Sequence, residues 1–580
     1  MFSYFEKIKL FFKKNDSLLF IILIIIFGIV ASRSLFLPGF YSSHDGVSHV
    51  IRLVKFYEGL IDGQIIPRWS KGLAFGFGSP VLLFYGQLPY LVGLIPKLLG
   101  FSYASSIEII FGLSLIVSGI TFYLWAKEVT NKSSALIGSI LYIYAPYRFL
   151  DIYVRGAYPE SFAFIFPPLI LLSLYKIFYK SEKSGYLLGV FSLSGIILSH
   201  NVMALFFIPV FILYALGLFF VNKDKKKLIV TGISLLTSLV ITSFYWIPAF
   251  FEKNLVNLNN LDAASGFTNN FVGLKDIIYS KWAWGPLGST SPMSLQVGLV
   301  QQGIILLSIF VLILFLLRKN KLGKLLSKFL NKIGLNVSNK LEKLDLIHFG
   351  LFFFLFAISI FLITNKSQFL WNSIPLLSFV LYPWRFLAIS LFSSAILSAF
   401  VFKYLKPNII FYLIIIFVVL YSNRNYSQLV GKIYENDNFY ENYQDTADMW
   451  GEFLPITANL ETINKCRKEQ CKFNKVVVPN KVKINIITDK SNLLVFSYES
   501  EKDFTATINT YYFPGWKVYL DKSFYDQRKV NGIGTMDINL PKGSHNILLK
   551  FENTNIINLS LIISLVGLLG FGICLKCLKK

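Results

Sequence analysis

The run "SLLFIILIIIFGIVASRSLFL", residues 17–37, carries a single charge, Arg33. A segment of about twenty apolar residues is long enough to cross a bilayer as a helix. Only a helix or a closed barrel satisfies its backbone there, because the hydrocarbon offers no water. The run exceeds a usual signal-peptide core, so it reads as an uncleaved anchor. Comparable runs lie near residues 105–126, 133–149, 160–179, 185–199, 201–220, 228–249, 297–317, 346–364, 385–403, 407–422 and 555–575. The expectation is an α-helical polytopic membrane protein with about twelve spans. Of 580 residues, 54% are hydrophobic and 15% charged, too apolar for a soluble chain of this length.

The net charge of +24 does not point to nucleic acid, because its lysines cluster in short loops between apolar runs. Examples are "FFKKND", "NKDKKK" and "RKNKLGKLLSKFLNK". That is the positive-inside pattern of a multi-pass plasma-membrane protein. With both termini cytoplasmic, nearly all basic loops fall inside if the segment 81–99 does not cross fully. Its interruptions "GSP", "GQLP" and "LIPK" fit a broken, re-entrant or interfacial element. Cys466 and Cys471 sit close together in a polar stretch, and either a disulfide or two free thiols fits them.

This topology leaves the unusual polar residues on the outer face. In "HDGVSHVIRLVKFYEGL", Asp45, His49, Arg52 and Phe56 share one face of an amphipathic helix. Such a helix either lies at the interface with its polar face in water, or holds a carboxylate at the rim of a membrane cavity. "RGAYPES" sets Arg155 and Glu160 around a turn, with Glu160 near a helix N-terminus that favours an anion. His200 and Asn201, in "SHN", separate two spans, and "LYPWRF" places Trp384 and Arg385 before another. His44 and Arg68 complete the group. Trp384 also fits an interfacial belt. Arginines bind phosphate in a charge-assisted fork, and a carboxylate can take a proton from an acceptor hydroxyl. A lipid-linked phosphate is therefore a fitting ligand.

"HDGVSHVIRL", "RGAYPESFAF", "LSHN", "YPWRFL" and "GEFLP" are similar to membrane proteins labelled 6-pyruvoyl-tetrahydropterin synthase-related, and to YfhO-like proteins. An acidic residue opening the first outer loop, followed by "PVLLFYGQLPYLVGLIPKLLG", resembles the GT-C superfamily of polytopic glycosyltransferases. Pterin synthase activity itself would need a soluble fold and zinc-binding histidines, and neither pattern is present. The resemblance implies an outer-leaflet cavity and a polyprenyl-phosphate-linked sugar donor. It implies a glycan, protein or lipid acceptor and places Asp45 as the catalytic base, assisted by Glu160 and His49. Substrate-binding roles fall to His44, Arg52, Arg68, Arg155, His200, Asn201, Trp384 and Arg385. Many GT-C enzymes carry two acids in that loop motif, whereas here only His44-Asp45 occurs. A divalent-metal requirement is left open, no metal ligands are assigned and no cofactor is expected.

Residues 423–553 change character. "VKINIIT", "NLLVFSYES", "TATINTYYFPGWKVYLD", "TMDINL" and "NILLKFEN" alternate as strands between turns, which predicts an extracytoplasmic β-sandwich of roughly eight strands. Trp516 there either packs in the core or stacks on a sugar. The chain thus divides into a GT-C-like transmembrane domain (1–422), this β-rich domain (423–553), and a final span with a cytoplasmic tail (554–580). Membrane glycosyl transfer is the leading reading. The alternatives are a transporter or flippase of lipid-linked glycan, which calls for polar groups on both faces and a repeat, and a non-catalytic cell-envelope assembly protein.

Overall fold

The computed structural model describes residues 16–258, 266–338, 341–448 and 450–578. Lys13 and Lys14 of "FFKKND" and the last two lysines of the tail, Lys579 and Lys580, lie outside the described residues.

Among the described residues, eight helices are long and apolar enough to cross a membrane. They include α1 (Asp16–Ser32), which runs into a short 3₁₀ turn. A bent pair at 225–251, kinked by 66°, makes a ninth if counted as one span. The twelve segments expected from hydropathy are not twelve full-length helices. The segment at 133–149 is a twelve-residue helix, Lys132–Ile143. At about 1.5 Å per residue it falls well short of a hydrocarbon core. The segment at 407–422 is a fifteen-residue helix, Ile409–Asn423. Apolar composition does not distinguish a helix buried among helices from one crossing lipid, and the first of these is buried along nearly all its length. Helix Leu387–Leu405 is the central one, buried throughout apart from Lys403. The final helix, Asn555–Cys577, is peripheral and exposes Leu559, Ile562, Leu565, Val566 and Leu569. Such a face suits lipid.

The segment 81–99 is broken, as its interruptions suggest. A four-residue turn, Val81–Phe84, is followed by α2 (Leu88–Leu98), eleven residues long. Gly86 marks the break, where an added Cβ would lie 2.2 Å from the Ser199 carbonyl oxygen.

Two antiparallel sheets form the C-terminal unit. Strands β1 (Phe40–Tyr41) and β2 (Lys432–Ile433) pair separately, tying the first loop to the segment after the helices. The sandwich strands are β3 (Val476–Val477), β4 (Lys483–Asp489), β5 (Leu493–Ser500), β6 (Phe504–Tyr511), β7 (Trp516–Leu520), β8 (Ser523–Phe524), β9 (Arg528–Val530), β10 (Thr535–Leu540) and β11 (Gly543–Phe551). Their orders are β3-β6-β10-β9 and β4-β5-β11-β7-β8. Alternation along β6, β10 and β11 buries Ala506, Ile508, Ile538, Ile547 and Leu549 between the sheets.

The sandwich shares its core with the first loop. Trp69 meets Trp516 edge-on at 5.7 Å, and Phe77 lies 4.9 Å from Tyr511. Trp516 is buried there, not exposed for a sugar. Cys466 and Cys471 are joined by a disulfide.

Candidate functional site

The first loop and the loop after the short helix Lys132–Ile143 are held together through their backbones. His44 and Asp45 donate their amides to the carbonyls of Val154 and Arg155, at 3.0 and 2.7 Å. Gly156 sits at φ +66°, and a Cβ there would meet Ser43 Oγ at 2.4 Å and Gly46 N at 2.7 Å. Both the conformation and the close approach require glycine. "HDG" and "RGA" thus fit against each other. Residues 150–155 form one turn of π-helix, a geometry often found at functional sites.

Asp45 is the N-terminal flanking residue of a helix spanning Gly46–Ile61. Its carboxylate makes no hydrogen bond or ion pair with any described residue, although Arg52 and Arg155 lie within electrostatic range. It is partly exposed. The helix behind it is not the surface helix that amphipathicity suggests. His49 and Arg52 are 4% and 3% exposed, because α2 and the segment 445–455 cover them. His49 Nδ1 lies 2.8 Å from the Tyr90 hydroxyl. Burial and the neighbouring Arg52 push the imidazole well below its ordinary value, so it is neutral. Arg52 stacks on Tyr85, 3.9 Å from the ring centre, and donates to the Ala447 carbonyl. It holds the segment 445–455 and does not face an open cavity. His44 is likewise engaged, its Nε2 lying 2.7 Å from the Trp284 carbonyl oxygen.

Behind Asp45 is a buried charge cluster. Arg155 Nη1 donates to Asp151 at 2.6 Å and to Glu160 at 2.8 Å. Glu160 also accepts from the Tyr147 hydroxyl at 2.7 Å, and Arg385 Nε stands 4.0 Å from it. Glu160 is therefore occupied in holding arginine. Arg155 lies over the Trp384 ring at 4.7 Å, so Trp384 is a buried shelf for the guanidinium and not a lipid-facing belt residue. Arg385 donates to the Val380 carbonyl, and its Nε is buried with no hydrogen-bond partner among the described residues. His200 caps the following helix, accepting from Met203 N at 3.2 Å, and lies within electrostatic range of Glu160, Arg385 and Arg155. Asn201 bonds the Tyr245 hydroxyl at 2.7 Å. Arg68 does not join this group. It donates to Asn553 at 2.9 Å, where the β-sandwich meets the last helix.

Sequence reading missed four members. Asp151 and Arg148 stand in "RFLDIYVRG", where an ionic pair inside an apolar stretch was the available signal. Arg148 is fully buried, donating to the Ser161 carbonyl at 3.2 Å. Asp448 and Glu452 lie beside Arg52, brought there by the segment 445–455. Asp448 accepts amides of Gly451 and Phe453 at 2.9 and 3.2 Å, and Glu452 that of Trp450 at 3.0 Å. Burial, reinforced by Asp448, raises Glu452 to about 7. "GEFLP" carried that glutamate.

A bundle of apolar helices enclosing buried arginines and acids at one end, capped by a β-sandwich, defines a polytopic membrane protein with a polar site. The chain belongs to the 6-pyruvoyl-tetrahydropterin synthase related membrane-protein family, whose model matches residues 82–429. That stretch includes Arg155, Glu160, His200 and Arg385, while Asp45 and Glu452 lie outside it. An uncharacterized protein of Lactococcus lactis subsp. cremoris (strain MG1363) is 27% identical over 288 residues, which is 48% of this chain and 46% of that one. The chain thus spans less than half the length of that relative. The mycobacterial arabinofuranosyltransferase AftD is 14% identical with a TM-score of 0.44, covering 71% of this chain and 27% of that one. The Archaeoglobus fulgidus oligosaccharyltransferase is 14% identical with a TM-score of 0.41, covering 81% and 70%. At those scores neither likeness assigns a fold or an activity.

Proposed function

We propose that the chain is a GT-C-like glycosyltransferase of the plasma membrane, moving a sugar from a polyprenyl-phosphate-linked donor to an acceptor on the outer face. The observation that carries this is the unpaired Asp45 carboxylate beside a cluster whose other acids are already bound to arginine or backbone. Asp45 takes the proton of an acceptor hydroxyl as its oxygen bonds to the sugar's anomeric carbon. The bond from that carbon to the phosphate oxygen breaks, and the electron pair leaves with the polyprenyl phosphate. Arg385, whose Nε has no hydrogen bond among the described residues and stands 4.0 Å from Glu160, is the arginine that meets the developing charge. Glu160 and Asp151 fix Arg155 as positioning residues, and His49 supports the wall through Tyr90. In this orientation both termini are cytoplasmic and the β-sandwich is outside.

The test is transfer from a radiolabelled polyprenyl-phosphate sugar pool in membranes carrying wild type, Asp45→Asn or Glu160→Gln at matched expression. Loss of a general base costs about 10²–10⁴-fold in rate. We expect Asp45→Asn to lose transfer by that order while still binding the lipid-sugar. Glu160→Gln should weaken donor binding. Unchanged transfer with Asp45→Asn would remove the enzyme reading and leave a flippase or an assembly protein.

A further inference from the structure

Helix Lys321–Lys332, "KLGKLLSKFLNK", is not used by the site, and its two sides differ sharply. Leu322, Leu325, Phe329 and Ile333 are 54%, 65%, 57% and 41% exposed. Their spacings of three, four and four residues place them on one stripe. Lys321, Lys324, Lys328 and Lys332 follow the same spacing one residue away, so they form a parallel ridge beside that stripe, and all four are exposed. Gly323 and Leu330 on the opposite flank are buried. Gly323 lies so close to the end of the preceding helix that a Cβ would stand 2.2 Å from the Leu317 carbonyl oxygen.

Four large apolar side chains in water are costly, and a soluble surface rarely lines them up. Here the helix begins four residues after Leu299–Leu317, one of the helices fit to cross the membrane. It is therefore placed at the level where that span leaves the hydrocarbon. Arg318 and Lys319 in the connection add to the positive charge, and no acid occurs between 318 and 341. We propose that this helix lies in the headgroup region of an anionic bilayer leaflet. Its Leu-Leu-Phe-Ile stripe dips below the phosphates, and its lysine ridge pairs with them. The buried Gly323–Leu330 flank keeps it against the bundle, so the helix acts as a lipid-composition-sensitive strap on the face opposite the Asp45 site. This does not depend on the glycosyltransferase reading.

The experiment uses the full-length chain in a Cys574→Ser/Cys577→Ser background, with an environment-sensitive fluorophore on Phe329→Cys or, separately, on Asn331→Cys. Each is reconstituted in vesicles of phosphatidylcholine alone or mixed with phosphatidylglycerol. In the mixed vesicles the label at 329 should be shielded from an aqueous quencher several-fold better than the label at 331. That advantage should shrink in high salt and with the four lysines changed to serine. Equal quenching at 329 and 331 in both vesicle types would overturn the proposal. So would shielding at 329 that is indifferent to anionic lipid. Leu325→Cys provides a second reporter on the stripe should Phe329→Cys fold poorly. Sugar transfer, measured in parallel, separates failure of the strap from failure of the proposed activity.

Discussion

At Gly156 a single methyl group separates two outcomes. The residue holds φ +66° and faces Ser43 Oγ with room only for hydrogen. Gly156→Ala should lower stability by about 1–3 kcal/mol, read as a drop in thermal midpoint. It should lower transfer further than that loss of fold explains, because the same backbone contact sets Asp45. Glu452 tests the other wall. Raised from 4.5 to about 7, its carboxyl holds a proton in the folded chain that the unfolded chain releases. The resulting stability is complete below the ordinary value and is lost as pH rises through about 7. Proteolysis within 445–455 should accelerate between about pH 5 and pH 8, and Glu452→Gln should flatten that profile. The alignment of His49 and Arg52 behind Asp45 was legible because they recur at helical spacing. Asp448 and Glu452 were not, since no local spacing records that a segment some four hundred residues later folds over Arg52.

The elements show where periodicity is informative and where it is not. The broken 81–99 segment and the alternating strands were readable, since proline, glycine and a two-residue period act locally. The depth of helix Gly46–Ile61 was not readable. Its polar residues look solvated in sequence, yet Arg52 and Lys55 are buried under residues 441–447. The short helix Lys132–Ile143 misled in the opposite sense, being apolar because it is surrounded by protein. The join between loop and sandwich gives a further expectation. Trp69→Ala removes a buried ring shared by Trp516, Phe513 and Phe551. The substitution should cost about 3–5 kcal/mol. It should appear as selective protease cleavage in the sandwich while the membrane helices stay protected.

Across the whole molecule, distant stretches of chain converge on one end. Strand β1 pairs with β2, and Lys432 Nζ reaches back to the carbonyls of Leu37 and Gly39 at 2.9 and 2.8 Å. Residues 62–84 seat the sandwich through Gln64 on Ser491 at 2.8 Å and Lys71 on Asp489 at 2.8 Å. A chain ending after residue 433 should therefore insert and leave Arg52 accessible, and should show no transfer in the radiolabel assay. That pairing also carries a consequence for biosynthesis. The ribosome delivers Arg52 before the helices between 103 and 423, and the segment 445–455 that covers it only after them. A half-made chain therefore holds Arg52 and His49 with no later segment over them. The wall over Arg52 comes into being only once residues 445–455 have followed the helices between 103 and 423.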